Sequence, residues 1–194
     1  MLGSAFNPPH LGHLVLAQEA AAQLRLSRVL LVPTGRAPHK EIADDPGARA
    51  RLEMATAAAN GAVMEADGLE VELAERDGEP SYAYRTLEEL AKRDSDLVWI
   101  MGADAVAGLE EWREPERVLE LARVAIAQRP GVEPTAVENV LERLGGTERA
   151  TFIDMPVIGV SSSMVRERVR EGRPIRYLVP AEVAEVIESR GLYR

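Results

Sequence analysis

The stretch that decides the fold is the opening segment Met1-Leu-Gly-Ser-Ala-Phe-Asn-Pro-Pro-His-Leu-Gly-His13. Small residues lead into an Asn-Pro-Pro turn and two histidines, and helical apolar spacing begins directly afterwards. This order indicates a strand end, a tight loop and a helix start, whose unpaired N–H groups and partial positive charge suit a phosphate. Because His10 and His13 stand at i and i+3, they face the same side of that first turn. The segment therefore predicts a nucleotide phosphate site.

Further along the chain, short apolar runs alternate with helical patterns. Strands are predicted at 28–33, 69–73, 97–101, 124–127 and 150–154. Helices are predicted at 11–26, 47–60, 81–93, 115–121, 135–144, 161–171 and 180–190, with Ser81 as the cap of the third. This alternation predicts an α/β fold, a Rossmann-like parallel sheet with helices on both faces. We expect one domain spanning 1–194, in which residues 161–194 form a C-terminal helical part packed on the sheet.

Composition narrows the class of protein. A net charge of −9 argues against broad nucleic-acid binding but leaves room for a small anion in a local pocket. The sequence has no cysteine, which excludes disulfides and thiolate metal sites and fits a reducing compartment. We find no apolar stretch of membrane-span length and no signal-like start, so a cytoplasmic protein without a membrane partner is expected. The oligomeric state stays unknown at this stage.

The polar loops fall where a parallel sheet binds ligands, at the carboxyl ends of the strands. All three histidines of the chain, His10, His13 and His39, lie in these loops. A helical histidine pair can also bind zinc, but this pair lacks a neighbouring carboxylate as third ligand. We therefore predict phosphate binding and no protein-made metal site.

Two signatures carry a family resemblance. The segment Gly3 to His13 resembles the phosphate loop of the nucleotidyltransferase superfamily, and Ser161-Ser-Ser-Met-Val-Arg166 resembles its second signature. The match narrows to the bacterial nicotinate-nucleotide adenylyltransferase family through 37–40, 102–104, Trp112, 129–131 and the segment from Gly172 to 191–193. The resemblance covers nearly the whole chain, with its motifs in family order.

The resemblance implies a reaction and its partners. AMP would pass from ATP to nicotinate mononucleotide, giving nicotinate adenine dinucleotide and pyrophosphate in NAD biosynthesis. Mg²⁺ would be bound mainly through the ATP phosphates. Two alternatives stay open: a pantetheine-phosphate adenylyltransferase, which shares both signatures, and a catalytically inactive nucleotide-binding protein of the same fold.

The resemblance also implies site residues. The catalytic group comprises His10, His13, Ser163 and Arg166. The ATP and phosphate group comprises Gly3, Ser4, Ala5, Phe6, Ser162, His39, Lys40 and Asp104. For Asp104, capping of the following helical turn is an equally weighted alternative. The nicotinate group comprises Tyr84, Trp112 and Arg113, whereas Trp99 is predicted to be core.

The chain departs from the family pattern in three places. Only Met1 and Leu2 precede the loop, so we expect a short central strand, with lower stability or altered phosphate geometry unless the natural chain is longer. Ala83 stands where many relatives have Thr, and we hypothesise that Arg113 replaces the lost hydroxyl electrostatically. Ala5 and Asn7 replace the commoner Thr or Ser and Asp, a mild change for Asn in a tight turn.

Overall fold

The computed structural model describes residues 1–38, 41–59, 61, 63–128 and 131–194. Its strands are β1 (Leu2–Ser4), β2 (Val29–Pro33), β3 (Met64–Ala66), β4 (Val98–Gly102), β5 (Arg123–Ala127) and β6 (Ala150–Ile153). Its helices are α1 (Leu11–Leu24), α2 (Ala48–Ala58), α3 (Leu69–Asp77), α4 (Ala83–Ala91), α5 (Ala103–Ala107), α6 (Pro115–Leu121), α7 (Pro134–Arg143), α8 (Ser162–Arg170) and α9 (Ala181–Ser189).

In this part of the chain the strands form one six-stranded parallel sheet in the order β3-β2-β1-β4-β5-β6. The chain winds outward from β1 in one direction as far as β3 and then restarts at β4 on the other side of β1. The reversal opens a crevice at the carboxyl ends of β1 and β4, where sheets of this kind bind ligands. The predicted Rossmann-like architecture is confirmed.

Helices cover both faces of the sheet, because neighbouring strand residues point in opposite directions. Trp99 and Met101 of β4 pack into a buried cluster with α3 to α7. Val98 and Ile100, from the same strand, pack on the other face with α1 and with Ala55 of α2. The fully apolar strands are thus buried on both sides.

The strand predicted at 69–73 is wrong, since these residues begin α3. The Asp67 carboxylate accepts the N–H of Leu69 at 2.8 Å, which favours a helix start, and Gly78 ends the helix in the left-handed conformation at φ 72°. The edge strand next to β2 is instead β3, three residues long, which the prediction missed.

The prediction that Ser81 caps a helix is also wrong. Tyr82 occupies the cap position of α4, and Ser81 Oγ accepts the N–H groups of Gly35 at 3.1 Å and Arg36 at 3.2 Å. Gly35 lies so close to α3 that a Cβ built on it would be 2.1 Å from the Glu70 carbonyl oxygen. Ser81 and Gly35 therefore fix the loop after β2 against α3.

The C-terminal helices form a third cluster whose buried members come from outside the strands. Val165 of α8 and Val183 and Ile187 of α9 pack with Met54 and Ala58 of α2. α2 therefore provides the surface on which these side chains pack, and the prediction that this part packs on the sheet stays a prediction. Within the described ranges, no helix is long and apolar enough to cross a membrane.

The first strand extends beyond the two residues expected for it. Leu2, Gly3 and Ser4 pair with 31–33 of β2, and the N–H of Ile100 donates to the Met1 carbonyl at 2.8 Å. Met1 and Leu2 are buried. The loop that follows Ser4 thus starts from the middle of the sheet.

Candidate active site

The helix that follows β1 begins with a histidine cap. His10 occupies the N-cap of α1, and its Nδ1 accepts the N–H of Gly12 at 3.1 Å. His13 returns this arrangement, because its Nδ1 accepts the N–H of His10 at 3.2 Å. The two imidazoles thus take the roles that Ser and Glu take in an ordinary capping box.

These hydrogen bonds assign the tautomers of the neutral rings. Since each Nδ1 accepts a backbone N–H, each neutral ring carries its proton on Nε2. Nε2 of His13 lies 3.2 Å from Ser4 Oγ at the end of β1, and the two ring centroids are 3.9 Å apart. The histidines therefore present N–H donors near the end of the central strand.

Glycine at position 12 lets the His10 ring lie against the backbone. A Cβ at Gly12 would come within 3.0 Å of His10 Cε1 and 3.1 Å of its Nδ1. That approach is closer than ordinary van der Waals contact, so a side chain there would displace the ring. Packing of the His10 ring therefore explains why position 12, between the histidines, is a glycine.

Two residues of the loop after β1 are buried and stabilise it from the inside. Phe6 is fully buried at φ 49° with its ring centroid 5.0 Å from that of His13, and its N–H donates to Ser4 Oγ at 3.5 Å. Asn7 is also buried: its amide donates to the Ala43 carbonyl at 2.7 Å and its Oδ1 accepts the Tyr193 hydroxyl at 2.6 Å. An aspartate could not make the first of these bonds, which accounts for the departure at position 7.

The second signature lies against this loop. Ser161 caps α8 by accepting the N–H of Met164 at 3.2 Å, and Ser162 Oγ donates to the Pro8 carbonyl at 2.8 Å. Ser163 is exposed, with its Oγ 3.0 Å from that of Ser161. The structure therefore brings the N-termini of α1 and α8 together.

Arg166, predicted to hold phosphate beside Ser163, is buried and makes two contacts within the chain. One guanidinium nitrogen donates to the Asn7 carbonyl at 2.9 Å, and Nε donates to the Asp44 carboxylate at 3.0 Å. The Arg166 hydrogen bond lowers the pKa of the Asp44 carboxyl, and the Arg170 charge adds to this effect. Arg166 thus joins α8 to the two loops that follow β1 and β2.

A second buried guanidinium was missed by the sequence analysis. Arg51 of α2 has no exposed surface and donates to the carbonyls of Ala5 (3.1 Å), Thr34 and Gly35 (3.3 Å). Its Nε also donates to the Asp45 carboxylate at 2.9 Å. Residue type alone predicts an exposed arginine on α2, so no local signal indicated this role.

Three adjoining clefts run along this edge of the sheet. The histidine cleft, of about 540 Å³, is lined by Ser4, His10, Gly12, His13, Leu16, Ala127, Gln128 and 155–161. The central cleft, of about 560 Å³, is lined by Ala5, Thr34, Ala37, Pro38, Ile42, Asp104, Ala105, Gly108, Glu111 and Trp112. The aromatic cleft, of about 230 Å³, is lined by Gly3, Thr34, Pro38, Glu70, Ser81, Tyr82, Ala83, Trp99, Trp112 and Arg113. Shared and adjacent residues connect the three.

The aromatic cleft contains both tryptophans. Trp99 is buried as predicted but also lines the cleft, and the half-buried Trp112 meets it edge to face at 6.1 Å. The Arg113 guanidinium lies 4.9 Å from the centre of the Tyr82 ring. Tyr84 does not line this cleft, and its ring stacks with that of Tyr82 at a centroid distance of 6.2 Å. Tyr82 therefore takes the position expected for Tyr84.

Glu70 is an unpredicted carboxyl in the wall of this cleft. It is buried in α3, and its Oε1 accepts the Thr86 hydroxyl at 2.8 Å. Burial raises the pKa of Glu70 to about 7, against the opposing effects of the hydrogen bonds from Thr86, Ser81 and Gly35 and of the Arg51 charge. In the strand predicted at 69–73, alternation would place Glu70 on the outward face. The sequence analysis therefore did not identify it as a site residue.

The remaining predicted residues are distributed as follows. Asp104 is exposed in the first turn of α5, whose N-cap is Gly102, so it lines the central cleft without being the cap residue. The predictions for His39 and Lys40, and for most of 129–131, lie outside the described residues. Among the residues that are described, no group of three or more His, Cys, Asp or Glu could hold a metal ion.

Paired histidines on a helix N-terminus at the switch point of this sheet define a nucleotidyltransferase of Rossmann-like fold. A family model described as Cytidylyltransferase-like matches residues 1–168, and the chain belongs to that family. Within it, full-length similarity identifies the chain as a member of the nicotinate-nucleotide adenylyltransferases.

Two relatives illustrate this similarity, each named "Probable nicotinate-nucleotide adenylyltransferase". The protein of Roseiflexus sp. (strain RS-1) is 40% identical over 198 residues, covering 100% of this chain and 96% of its own. That of Tropheryma whipplei (strain Twist) is 39% identical over 197 residues, covering 100% and 98%.

The fold also matches solved structures of Plasmodium falciparum nicotinic acid mononucleotide adenylyltransferase. The structure described as complexed with NaAD has a TM-score of 0.77 at 16% identity, covering 99% of this chain and 95% of the other. The one described as complexed with APC has a TM-score of 0.74 at 17% identity, covering 99% and 94%. At this identity the likeness concerns the fold.

Proposed function

We propose that the protein transfers AMP from ATP to the phosphate of nicotinate mononucleotide, giving nicotinate adenine dinucleotide and pyrophosphate. The observation that carries this proposal is the row of three adjoining clefts, with helix N-termini and paired histidines in one and two tryptophans in another. The aromatic cleft suits a flat ring, and the histidine cleft suits phosphates. Relatives named for this activity over their full length support the same assignment.

The reaction explains why no serine or cysteine nucleophile is needed. An oxygen of the acceptor phosphate forms a bond to the α-phosphorus of ATP, and the bond from that phosphorus to the β-bridging oxygen breaks. The pyrophosphate leaves with the electron pair. Because the attacking oxygen is already anionic, the protein must align two anions and neutralise charge.

We assign that neutralisation to the two helix starts. His10 and His13 would donate from Nε2 to the α-phosphate and the leaving group, with backbone support from Gly3, Ser4, Ala5 and Phe6. Ser162, Ser163 and Arg166 would hold the outer phosphates, as would His39 and Lys40. Asp104 would bind on the adenosine side. Arg166 could keep its bond to the Asn7 carbonyl while a phosphate oxygen replaces Asp44.

The pyridine ring would occupy the aromatic cleft. Trp112 would provide the stacking surface, and Arg113 would face the carboxylate, with Tyr82 in the place predicted for Tyr84. Since α8 is bonded to the loop after β1, we also propose that 1–194 act as one domain.

Mg²⁺ fits this proposal as a partner of the nucleotide. Asp104 is the acidic residue that we assign to the nucleotide, and one carboxylate leaves the triphosphate and water to supply most of the ligands. When bound, the ion would offset phosphate charge, while the residues named above orient the reactants.

One assay tests the proposal. Pyrophosphate release is measured with ATP and, in turn, nicotinate mononucleotide, nicotinamide mononucleotide and phosphopantetheine. We expect release with the first and slower release with the second. Release with phosphopantetheine alone would favour a pantetheine-phosphate adenylyltransferase, and no release with any acceptor would favour a nucleotide-binding protein.

A further inference from the structure

Glu70 is a lining residue of the aromatic cleft, and the proposed reaction leaves its carboxyl group without a role. Glu70 lines this cleft together with Trp112 and Arg113, yet its residue surface is only 5% exposed. A nicotinate ring carries a carboxylate, whereas a nicotinamide ring carries a neutral amide. A second carboxyl in the wall would therefore distinguish the two rings according to its own charge.

We propose that Glu70 is a specificity-determining residue whose charge sets the preference between nicotinate and nicotinamide acceptors. This inference rests on the proposed function. A neutral Glu70 lets the cleft accept an anionic ring, while an ionised Glu70 repels the carboxylate and leaves the amide unaffected.

The hydrogen bonds around Glu70 hold its carboxyl in a fixed position. Thr86 donates to it at 2.8 Å, and the Ser81 hydroxyl and the Gly35 N–H also face it. Ser81 Oγ already accepts two backbone N–H groups, so its own proton is available for Glu70. Of these three partners, Ser81 lines the same cleft.

Burial and the groups near Glu70 together set the pH at which its carboxyl ionises. Arg51 approaches from α2, and Arg113 and the Tyr82 phenol line the same cleft, while α4 contributes only the Thr86 hydroxyl. Burial outweighs the Arg51 charge and raises the pKa of Glu70 to about 7. Because the folded group is neutral below that pH and ionised above it, the preference for nicotinate should fall as pH rises.

Position 83 strengthens the case for this residue. Ala83 lines the same cleft and provides no hydroxyl for a ring carboxylate. Selectivity in this chain must therefore depend more on charge than it would with a threonine there. Arg113 attracts the carboxylate of the nicotinate ring, and Glu70 repels that carboxylate when it is ionised.

The test is the ratio of kcat/KM for nicotinate over nicotinamide mononucleotide, at saturating ATP, from pH 6 to 9. Both acceptors share the phosphate, the ATP site and the two histidines, so their titrations cancel in the ratio. We expect the ratio to fall about tenfold in the unaltered protein, equivalent to about 1.4 kcal/mol. Glu70→Gln should make the ratio independent of pH, near the low-pH value, because the amide stays neutral.

The matched control is Glu72→Gln, an exposed carboxyl on the same helix, which should keep the full pH dependence. A second measurement does not need the Glu70 variant to fold. At pH 7.5, calorimetry in buffers of different ionisation enthalpy should show more proton uptake with nicotinate than with nicotinamide mononucleotide, since the anionic ring favours protonated Glu70.

A ratio that stays constant with pH, equal pH dependence in Glu70→Gln, or equal proton uptake with both acceptors would overturn the inference. In each of these cases pyrophosphate release would still support the adenylyltransferase. Absence of release with either acceptor would instead overturn the proposed function, and the inference with it.

Discussion

The guanidinium of Arg51 lies 3.1 Å from the carbonyl oxygen of Ala5, which joins the middle of α2 to the loop after β1. The same group donates to Thr34 and Gly35, so one side chain fixes the loops that follow two adjacent strands. The relative position of these loops determines the shape of the central cleft. A residue outside the predicted site thus sets its geometry.

Replacing Arg51 by Met should lower the free energy of unfolding by about 3–5 kcal/mol, since the buried carbonyls and Asp45 lose their partner. Chemical denaturation measures this change. Arg49→Met is the matched control on the same helix: its exposed ion pair with Glu75 should contribute little to stability, because solvent screens it. Equal effects of the two variants would show that Arg51 does not hold the loops.

His13→Ala should reduce kcat far more than it changes the KM for the acceptor. Removing one preorganised donor to developing phosphate charge typically lowers turnover about 10²–10³-fold. Ser4→Ala, which removes a hydroxyl that lies 3.2 Å from His13 Nε2, should have a smaller effect. Steady-state kinetics decide the matter, and a nearly unchanged kcat for His13→Ala would exclude the charge-stabilising role.

Arg113→Ala should lower the nicotinate preference at a fixed pH by about three- to tenfold, because the cleft loses the charge that attracts a carboxylate. Competition between the two acceptors measures this preference. Arg117→Ala provides the control: it removes an exposed arginine of α6 that pairs with Glu88 and Glu120 and does not line the cleft. An unchanged preference in Arg113→Ala would remove Arg113 from the specificity argument.

Tyr193→Phe should lower stability by about 1 kcal/mol, because Asn7 Oδ1 loses the hydroxyl that lies 2.6 Å away. Burial also raises the pKa of Tyr193 above the usual range. The unfolded chain releases this proton near pH 10 and the folded chain only at higher pH, so stability should fall as pH rises above about 10. Thermal melts at pH 8 and 11 test both points, and the variant should lack this part of the alkaline loss.

Periodicity and turn residues were sufficient to predict the general architecture. A short apolar run such as that of β4 fits few structures other than a buried parallel strand. The segments around His10 and Ser161 indicate helix starts. The strand prediction for 69–73 failed because five alternating residues fit both a strand and a turn of an amphipathic helix. Asp67 and Gly78, spaced to begin and end a short helix, were the signal that could have decided it.

The candidate site was predictable where its chemistry depends on sequence-local motifs. His10 with His13, and Ser161 with Ser162, lie within single turns, so spacing alone brings them together. Arg51 and Glu70 could not be found in this way, because their burial results from contacts between distant segments. A charged residue on a helix is exposed by default, and only the folded arrangement shows these two to be inside.

The hydrogen bond between Tyr193 and Asn7 has a consequence for biosynthesis. The loop that contains Asn7 is translated 186 positions before the tyrosine that provides its partner hydroxyl. A nascent chain that stops short of Tyr193 therefore contains both histidines but lacks one of the bonds that hold Asn7. The geometry of the phosphate loop becomes complete only when synthesis has passed that tyrosine.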